Sequence, residues 1–185
     1  MTNSLTTLPP ELEVALAALM LLAAVYDVRL RRIPNWLCLT GLGLGLALHF
    51  RLWQFSGLRQ AGLGAALALA VYFPLFALRA MGGGDVKLMA ATGALVGPSN
   101  WFAIFLLTAL FGGVFAISLL AIRGGLVQAI RNVATILIQL VHFRAPHRTD
   151  ATLDIAHPSA VTLPHAIPIC AGTLAFLWFV NFKAT

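Results

Sequence analysis

The chain has 185 residues, of which 60% are hydrophobic and 10% are charged, and its net charge is +6. A soluble domain carries about 25% charged residues, so this composition excludes a water-soluble globular protein. The basic residues lie in short segments beside apolar runs, a pattern that reflects membrane topology and not nucleic-acid binding. We therefore predict an all-α, polytopic membrane protein that forms one domain over residues 1–185.

Six apolar runs are predicted to span the lipid bilayer. The first ends just before Asp27, and Pro34 suits the first turn of the second. A short loop with Trp53 follows the second span, a glycine run follows the third, and a turn at Gly97-Pro98 follows the fourth. The predicted spans are residues 12–26, 36–50, 61–78, 86–97, 101–122 and 161–182.

The segment between the last two spans is predicted to form an amphipathic helix at the membrane interface. Residues 126–143 carry polar side chains at helical spacing among valine, isoleucine and leucine. Arg123 precedes this segment, and Arg144 and Arg148 follow it. A seventh span would therefore place basic residues on both sides of the membrane, so we favour the interfacial helix and keep the seventh span as the alternative.

Lysine and arginine residues are divided unequally between the two sides that six spans define. Of the 12 basic residues, only Arg51, Arg59 and Lys183 fall on one side. The positive-inside rule places the other, more basic side in the cytoplasm and both termini outside. Asp27 and Asp85 then both lie toward the cytoplasmic side, and the bilayer itself is an expected partner.

Asp27 and Asp85 are the two acidic residues that loops and membrane edges do not explain. Asp85 follows a run of glycines in apolar surroundings, where a charge indicates a functional site. The apolar stretches 14–26 and 86–97 have similar lengths, which predicts a similar depth for both carboxylates. Two carboxylates in one polar pocket share a proton. They then have the chemistry of an aspartic protease, in which one takes a proton from water and the other protonates the leaving amide.

The residues around the two acids allow other interpretations. The glycine run disfavours helix and permits close backbone approach, which predicts the wall of a substrate cavity. Lys87 either tunes Asp85 or extends to lipid phosphate, and we favour the second. Asp27, taken alone, is equally well an interface charge paired with Arg29 or Arg31.

Two motifs in this chain resemble those of the prepilin peptidases. They are Asp27-x-Arg29-x-Arg31-Arg32-Ile33-Pro34-Asn35 and Gly82-Gly83-Gly84-Asp85-Val86-Lys87-Leu88. The resemblance is to the short Tad/Cpa-type form of Flp pilus systems. It implies a membrane aspartic endopeptidase of the GxGD type, with Asp27 and Asp85 as its catalytic pair.

The same resemblance implies a substrate and a location. The substrate is a pilin precursor, whose basic leader is cut off after a glycine and before the apolar helix, at the cytoplasmic face of the bacterial inner membrane. No metal and no organic cofactor are expected. The segment from Asp27 to Asn35 is too short for the CxxC-containing domain of the long forms, so we expect cleavage without N-methylation. Near the last span the chain has Pro164-His165 where the family has a Pro-Tyr pair, which leaves the role of His165 open.

Other functions use some of the same residues. A small proton-coupled transporter would use both acids but needs polar residues across the bilayer, and spans three to five have almost none. A non-catalytic pilus assembly component is the other alternative. The histidines and acids from His142 to His157 fit no standard ligand spacing, so no metal site is predicted. Ser99 could be the nucleophile of an intramembrane serine protease, but it lies in an outward turn with no obvious base, so this function is not favoured.

Overall fold

The computed structural model describes residues 7–78, 81–123 and 166–184, and these residues form four helices. Helix α1 spans Pro10–Leu30, α2 spans Asn35–Ala77, α3 spans Gly83–Arg123 and α4 spans Ala166–Ala184. The predicted all-α class is confirmed for this part of the chain. The predicted interfacial helix, residues 126–143, lies outside the described residues, as do Pro164 and His165.

Helix α1 continues beyond its predicted end at residue 26. Glu11 and Glu13 lie in its first turn, where acidic side chains complement the helix dipole. The helix ends at Arg31, which adopts a left-handed conformation (φ 52°) and donates its N–H to the Asp27 carbonyl at 2.9 Å. Because of this cap, Asp27 lies in the last turn of α1 and not after the helix.

Helix α2 reverses direction at Gln54, where φ is 54° and ψ is −136°. A Cβ atom placed on Gly57 would collide with the carbonyl of His49, although eight residues span about 12 Å along a straight helix. The two limbs, residues 35–53 and 55–77, therefore lie side by side. The predicted loop between spans two and three is almost entirely helical.

Helix α3 reverses at Gly97, where φ is 74° and ψ is 173°. The Trp101 indole Nε1 donates to the Met89 carbonyl at 3.1 Å, although twelve residues span about 18 Å along a straight helix. Glycine adopts a positive φ without steric cost, and Pro98 cannot continue the ladder of helical hydrogen bonds. The chain thus turns where the Gly97-Pro98 pair predicts it, between limbs 83–96 and 98–123.

The limb 83–96 forms the centre of the bundle. Both limbs of α2 pack on it through small residues that allow close backbone contact. A Cβ atom on Gly45 would lie 2.7 Å from the Ala94 carbonyl carbon, and Gly64 and Gly93 face each other with no room for a side chain on either. Most residues of this limb, including Leu88, Met89 and Leu95, are consequently buried.

The ends of the helices meet in two groups at opposite ends of the bundle. At one end, the backbone N–H of Ala166 donates to the Asp27 carboxylate at 3.0 Å. At the other end, Asn181 donates to Glu13 at 3.3 Å, and Glu11 pairs with Arg51 at 3.3 Å. Helices α1 and α4 are therefore antiparallel. We call the end that holds Asp27 and Ala166 the aspartate end.

The outside of the bundle is strongly apolar. Large hydrophobic side chains are exposed on several helices, for example Val14 at 70%, Leu39 at 69% and Leu110 at 62%. Soluble monomers rarely expose large contiguous apolar patches. Asn35–Ala77 and Gly83–Leu119 are long and apolar enough to cross a membrane. These features indicate a membrane protein.

The contact between Gly64 and Gly93 predicts a strong effect of a single methyl group. Gly64→Ala should lower the free energy of unfolding by about 1–3 kcal/mol relative to Gly62→Ala, because its methyl group would collide with the Gly93 carbonyl. A Cβ atom on Gly62 would meet open space. Both variants replace glycine by alanine within a helix, so both gain the same helix propensity and differ only in the collision. Thermal unfolding in detergent measures the difference, and equal stability of the two variants would contradict the packing described here.

Candidate active site

Asp27 is buried at the aspartate end, with 8% of its surface exposed. Its Oδ2 atom accepts the backbone N–H of Ala166, at the start of α4, over 3.0 Å. This bond ties the last turn of α1 to the first residue of the described part of α4. Of the two arginines considered as ion-pair partners, Arg29 is exposed whereas Asp27 is buried, and Arg31 donates its backbone N–H to the Asp27 carbonyl.

Asp85 is also buried, with 9% of its surface exposed, and lies in the first turn of α3. A carboxylate is stabilised there by the positive end of the helix dipole. The carboxylate is close to the preceding glycines, since a Cβ atom on Gly82 would lie 3.4 Å from Asp85 Oδ2. Both acids of the predicted pair are therefore shielded from solvent inside the bundle.

The glycine run is partly helical, although the sequence predicted that it disfavours helix. Helix α3 begins at Gly83, three residues before the predicted span, so Gly83 and Gly84 are helical. Both glycines allow neighbouring segments of the chain to pack closely against the start of α3. A Cβ atom on Gly83 would lie 3.2 Å from the Phe76 ring, and one on Gly84 would lie 3.3 Å from Ile33 Cβ. The run thus packs the start of α3 against the end of α2 and against the segment between α1 and α2.

Two contacts join the motifs that contain Asp27 and Asp85. The Lys87 ammonium donates to Asn35 Oδ1 at 2.8 Å, and the Cys38 thiol lies 3.9 Å from the Gly84 carbonyl oxygen. Together with the contact of Ile33 on Gly84, they hold the starts of α2 and α3 side by side. The structure therefore brings both sequence motifs to the aspartate end.

Lys87 and Pro34 differ in detail from their predicted roles. Lys87 is exposed, as expected for a side chain that extends to lipid phosphate, but its ammonium also has a protein partner in Asn35. Pro34 was predicted in the first turn of a helix and instead precedes α2 (φ −64°, ψ 137°). Its carbonyl accepts the N–H groups of Leu37 and Cys38 at 3.1 and 3.4 Å, so it caps the helix from outside.

Tyr72 is a buried polar residue near the site that sequence reasoning missed. It is 4% exposed on limb 55–77, within range of the charge of Asp85. Its ring packs edge-on against Trp101 and Phe105, at centroid distances of 6.1 and 5.9 Å. The only sequence signal was a tyrosine within an apolar run, which is also typical of an ordinary membrane helix.

An apolar groove of about 280 Å³ lies beside the aspartate end. Limb 55–77, limb 98–123 and the start of α4 form its walls. Met81, which precedes Asp85 by four residues, and Pro168, which follows Ala166 by two, both line it. The groove therefore adjoins the segments that carry or contact both carboxylates. Its lining residues are Tyr72, Leu75, Met81, Phe105, Thr108, Ala109, Gly112, Gly113, Phe115, Ala116, Pro168 and Ile169.

Ser99, the serine considered as a nucleophile, does not adjoin this site. Ser99 is exposed beside the reversal at Gly97, at the end of the bundle away from both aspartates. In the described ranges no three histidine, cysteine or acidic residues are grouped so that they could hold a metal ion. The segment from His142 to His157 lies outside those ranges.

The bond between Lys87 and Asn35 predicts a non-additive pair of substitutions. Lys87→Met and Asn35→Ala should each cost about 1 kcal/mol, or about 2–4 °C in melting temperature for a chain of this size. The double variant should have a melting temperature no lower than that of the less stable single variant, because each substitution removes the same hydrogen bond. Additive losses in detergent melting curves would show that the two side chains act independently.

The part of the chain that holds both aspartates matches a known family. The model of the type IV leader peptidase family matches residues 14–117, more than half of the 185-residue chain. No curated protein and no solved structure matches the chain. The matched range includes both motifs, all of α2 and most of α3. The resemblance inferred from the sequence is thereby confirmed, and the chain belongs to the type IV leader peptidase family.

Proposed function

We propose that this protein is a prepilin leader peptidase that uses Asp27 and Asp85 as an aspartic catalytic pair. Membership of the family implies a peptidase whose substrate is a pilin precursor. The observation that supports the aspartic mechanism is the burial of two carboxylates at the same end of the bundle, 8% and 9% exposed. Burying two charges in apolar surroundings is costly, and a shared proton lowers that cost.

The proposed reaction follows from the chemistry of a carboxyl pair. One carboxylate removes a proton from a water molecule held between the two, and the water oxygen attacks the scissile carbonyl carbon. The other, protonated carboxyl group donates its proton to the amide nitrogen as the C–N bond breaks. The products are a leader with a new carboxylate and a pilin with a new amino terminus. No metal or organic cofactor takes part in this proposal.

The apolar groove suggests how the substrate is held. The apolar segment that follows the cleavage site would pack in the groove, while the basic leader remains in the cytoplasm. Of the groove-lining residues, Tyr72 and Thr108 carry polar side chains and the rest are apolar or glycine. When the apolar segment enters such a groove, its apolar surface is removed from water or lipid headgroups, and this lowers the free energy of the complex. We propose a Flp-type pilin as the substrate, cleaved without N-methylation.

We further propose that six segments cross the bacterial inner membrane and that both termini face outward. The limbs created at Gln54 and Gly97 support this number, because each reversal divides a long helix into two antiparallel parts. Limb 35–53 is about 28 Å long and limb 83–96 about 21 Å, against about 30 Å of hydrocarbon. The short central limb would leave Asp85 below the cytoplasmic surface, inside a cavity wall formed by longer helices.

The catalytic assignment is tested with Asp27→Asn and Asp85→Asn, which keep side-chain size and remove the charge. Each should abolish cleavage of a Flp-type prepilin, since the proposed acid–base exchange needs both carboxyl groups. The readout is conversion of precursor to mature pilin by the purified protein in detergent. Glu11→Gln is the matched control, because Glu11 is a carboxylate at the opposite end of the bundle, and it should cleave normally.

The result also separates the alternative functions. Near-normal cleavage by either asparagine variant would show that this aspartate is structural and that the mechanism is wrong. A wild-type protein that cleaves no prepilin, yet moves protons across vesicles in a manner that depends on both aspartates, would favour the transporter. Failure in both assays would favour the non-catalytic assembly component.

Substrate packing in the groove is tested by filling it. Gly113 lines the groove and has open space around it, so Gly113→Phe should raise KM about tenfold or more and leave kcat nearly unchanged. A lost apolar contact of about 1.4 kcal/mol corresponds to this factor. Gly62→Phe is the control, because Gly62 also has open space but does not line the groove. An unchanged KM in Gly113→Phe would place the apolar segment elsewhere.

A further inference from the structure

We propose that the backbone amide of Ala166 is a positioning group for the Asp27 carboxylate. Through this bond the last helix fixes which oxygen of Asp27 faces the reacting water. The inference rests on the proposed function, because it concerns the orientation of one of the two catalytic carboxylates. It adds a residue that neither sequence motif contains.

The contact is short and shielded from solvent. The Ala166 N–H donates to Asp27 Oδ2 at 3.0 Å, and the two residues are 1% and 8% exposed. Hydrogen bonds to a charged acceptor are roughly twice as strong as bonds between neutral groups. The bond also engages the first backbone amide of the described part of α4. Both partners of the bond are therefore held away from water.

Helix α4 is fixed independently of this bond. Gly172 contacts Thr108 so closely that an added Cβ atom would lie 2.6 Å from the Thr108 nitrogen. Phe176 and Val180 are buried at 1% and 3%. At the far end, Asn181 donates to Glu13 at 3.3 Å. Because α4 is held by these contacts from Gly172 to Asn181, the position of the amide does not depend on the carboxylate, and the carboxylate orients to the amide.

This orientation distinguishes the two oxygens of Asp27. Oδ2 is engaged by the protein backbone, which leaves Oδ1 as the oxygen that faces the water between the carboxyl groups. In the proposed reaction, Oδ1 is then the atom that takes the proton from water. A carboxylate free to rotate would present either oxygen and would spend less time in the productive geometry. Misplacement of a catalytic group by about 1 Å costs up to about 100-fold in rate.

The test removes the amide hydrogen and leaves the helix intact. Proline has no N–H and is well accepted in the first turn of a helix, where α4 already contains Pro168. Ala166→Pro should lower kcat for prepilin cleavage by about 10- to 100-fold and leave KM within about twofold. Ala166→Gly keeps the N–H and should cleave at nearly the wild-type rate. Pro168 and Ile169 line the groove, so a general loosening of α4 would raise KM. A lower kcat with an unchanged KM therefore indicates a positioning effect.

Each outcome decides between positioning and a merely structural role. Equal kcat values for Ala166→Pro and Ala166→Gly would overturn the proposal, as would a rise in KM alone. If Ala166→Pro fails to insert or melts far below the wild type, a backbone ester at position 166, with L-lactic acid replacing the alanine, removes the same N–H with almost no change in shape. An ester variant with wild-type kcat overturns the proposal, and one with the 10- to 100-fold loss supports it.

The two levels of inference fail in different ways. A wild-type protein that cleaves no prepilin overturns the proposed function and the positioning role with it. An active wild type, inactive aspartate variants and an unimpaired Ala166→Pro overturn only the positioning role.

Discussion

Close backbone contact around limb 83–96 is the constraint on which the rest of this structure depends. Gly45, Gly64 and Gly93 remove the side chains that would keep the helices apart. In a membrane the hydrophobic effect gives little drive for helices to associate, so van der Waals packing between small residues has to supply it. This packing carries Asp85 into the middle of the bundle, where a carboxylate would otherwise not reside.

The buried acids explain why the aspartate end is built from so many separate segments. A carboxylate in apolar surroundings needs hydrogen bonds, helix dipoles or a shared proton. Asp27 accepts a hydrogen bond from a backbone amide of α4, and Asp85 lies at the positive end of the dipole of α3, in its first turn. The two motifs are joined by Ile33, Asn35 and Lys87, so the chain segments that carry the acids also determine the distance between the helix starts.

Much of the fold could be predicted from composition and from apolar run lengths, because membrane helices leave strong sequence signals. The reversal at Gly97 is marked by a glycine and a proline. The reversal at Gln54 lies within the predicted loop between spans two and three, but the residue at which the chain turns is not marked, since a glutamine with positive φ has no such signature. Helix ends were misplaced for a related reason. The left-handed cap at Arg31 and the helical conformation of Gly83 and Gly84 depend on tertiary contacts and not on local propensity.

The site was predictable where it depends on charge and unpredictable where it depends on backbone. Asp27 and Asp85 are conspicuous because an ionised side chain in an apolar region is rare. The Ala166 amide gives no signal in the sequence, since nearly every residue has a backbone N–H and only the fold determines which one donates to Asp27. Tyr72 is intermediate, because its identity is visible in the sequence but its position near Asp85 is not. The role of His165 stays open, as that residue lies outside the described ranges.

The bond between Asp27 and Ala166 also has a consequence for biosynthesis. It joins residues 139 positions apart in the chain. At about 5–20 residues per second, a ribosome needs on the order of 10 s to pass from one to the other. During that time α1, α2 and α3 can already be in the membrane with both aspartates present, while the amide that orients Asp27 has not yet been made. A nascent chain would therefore carry both acids but lack the Ala166 N–H until α4 inserts, so under the proposed positioning role its cleavage rate would reach the full value only with the completed bundle.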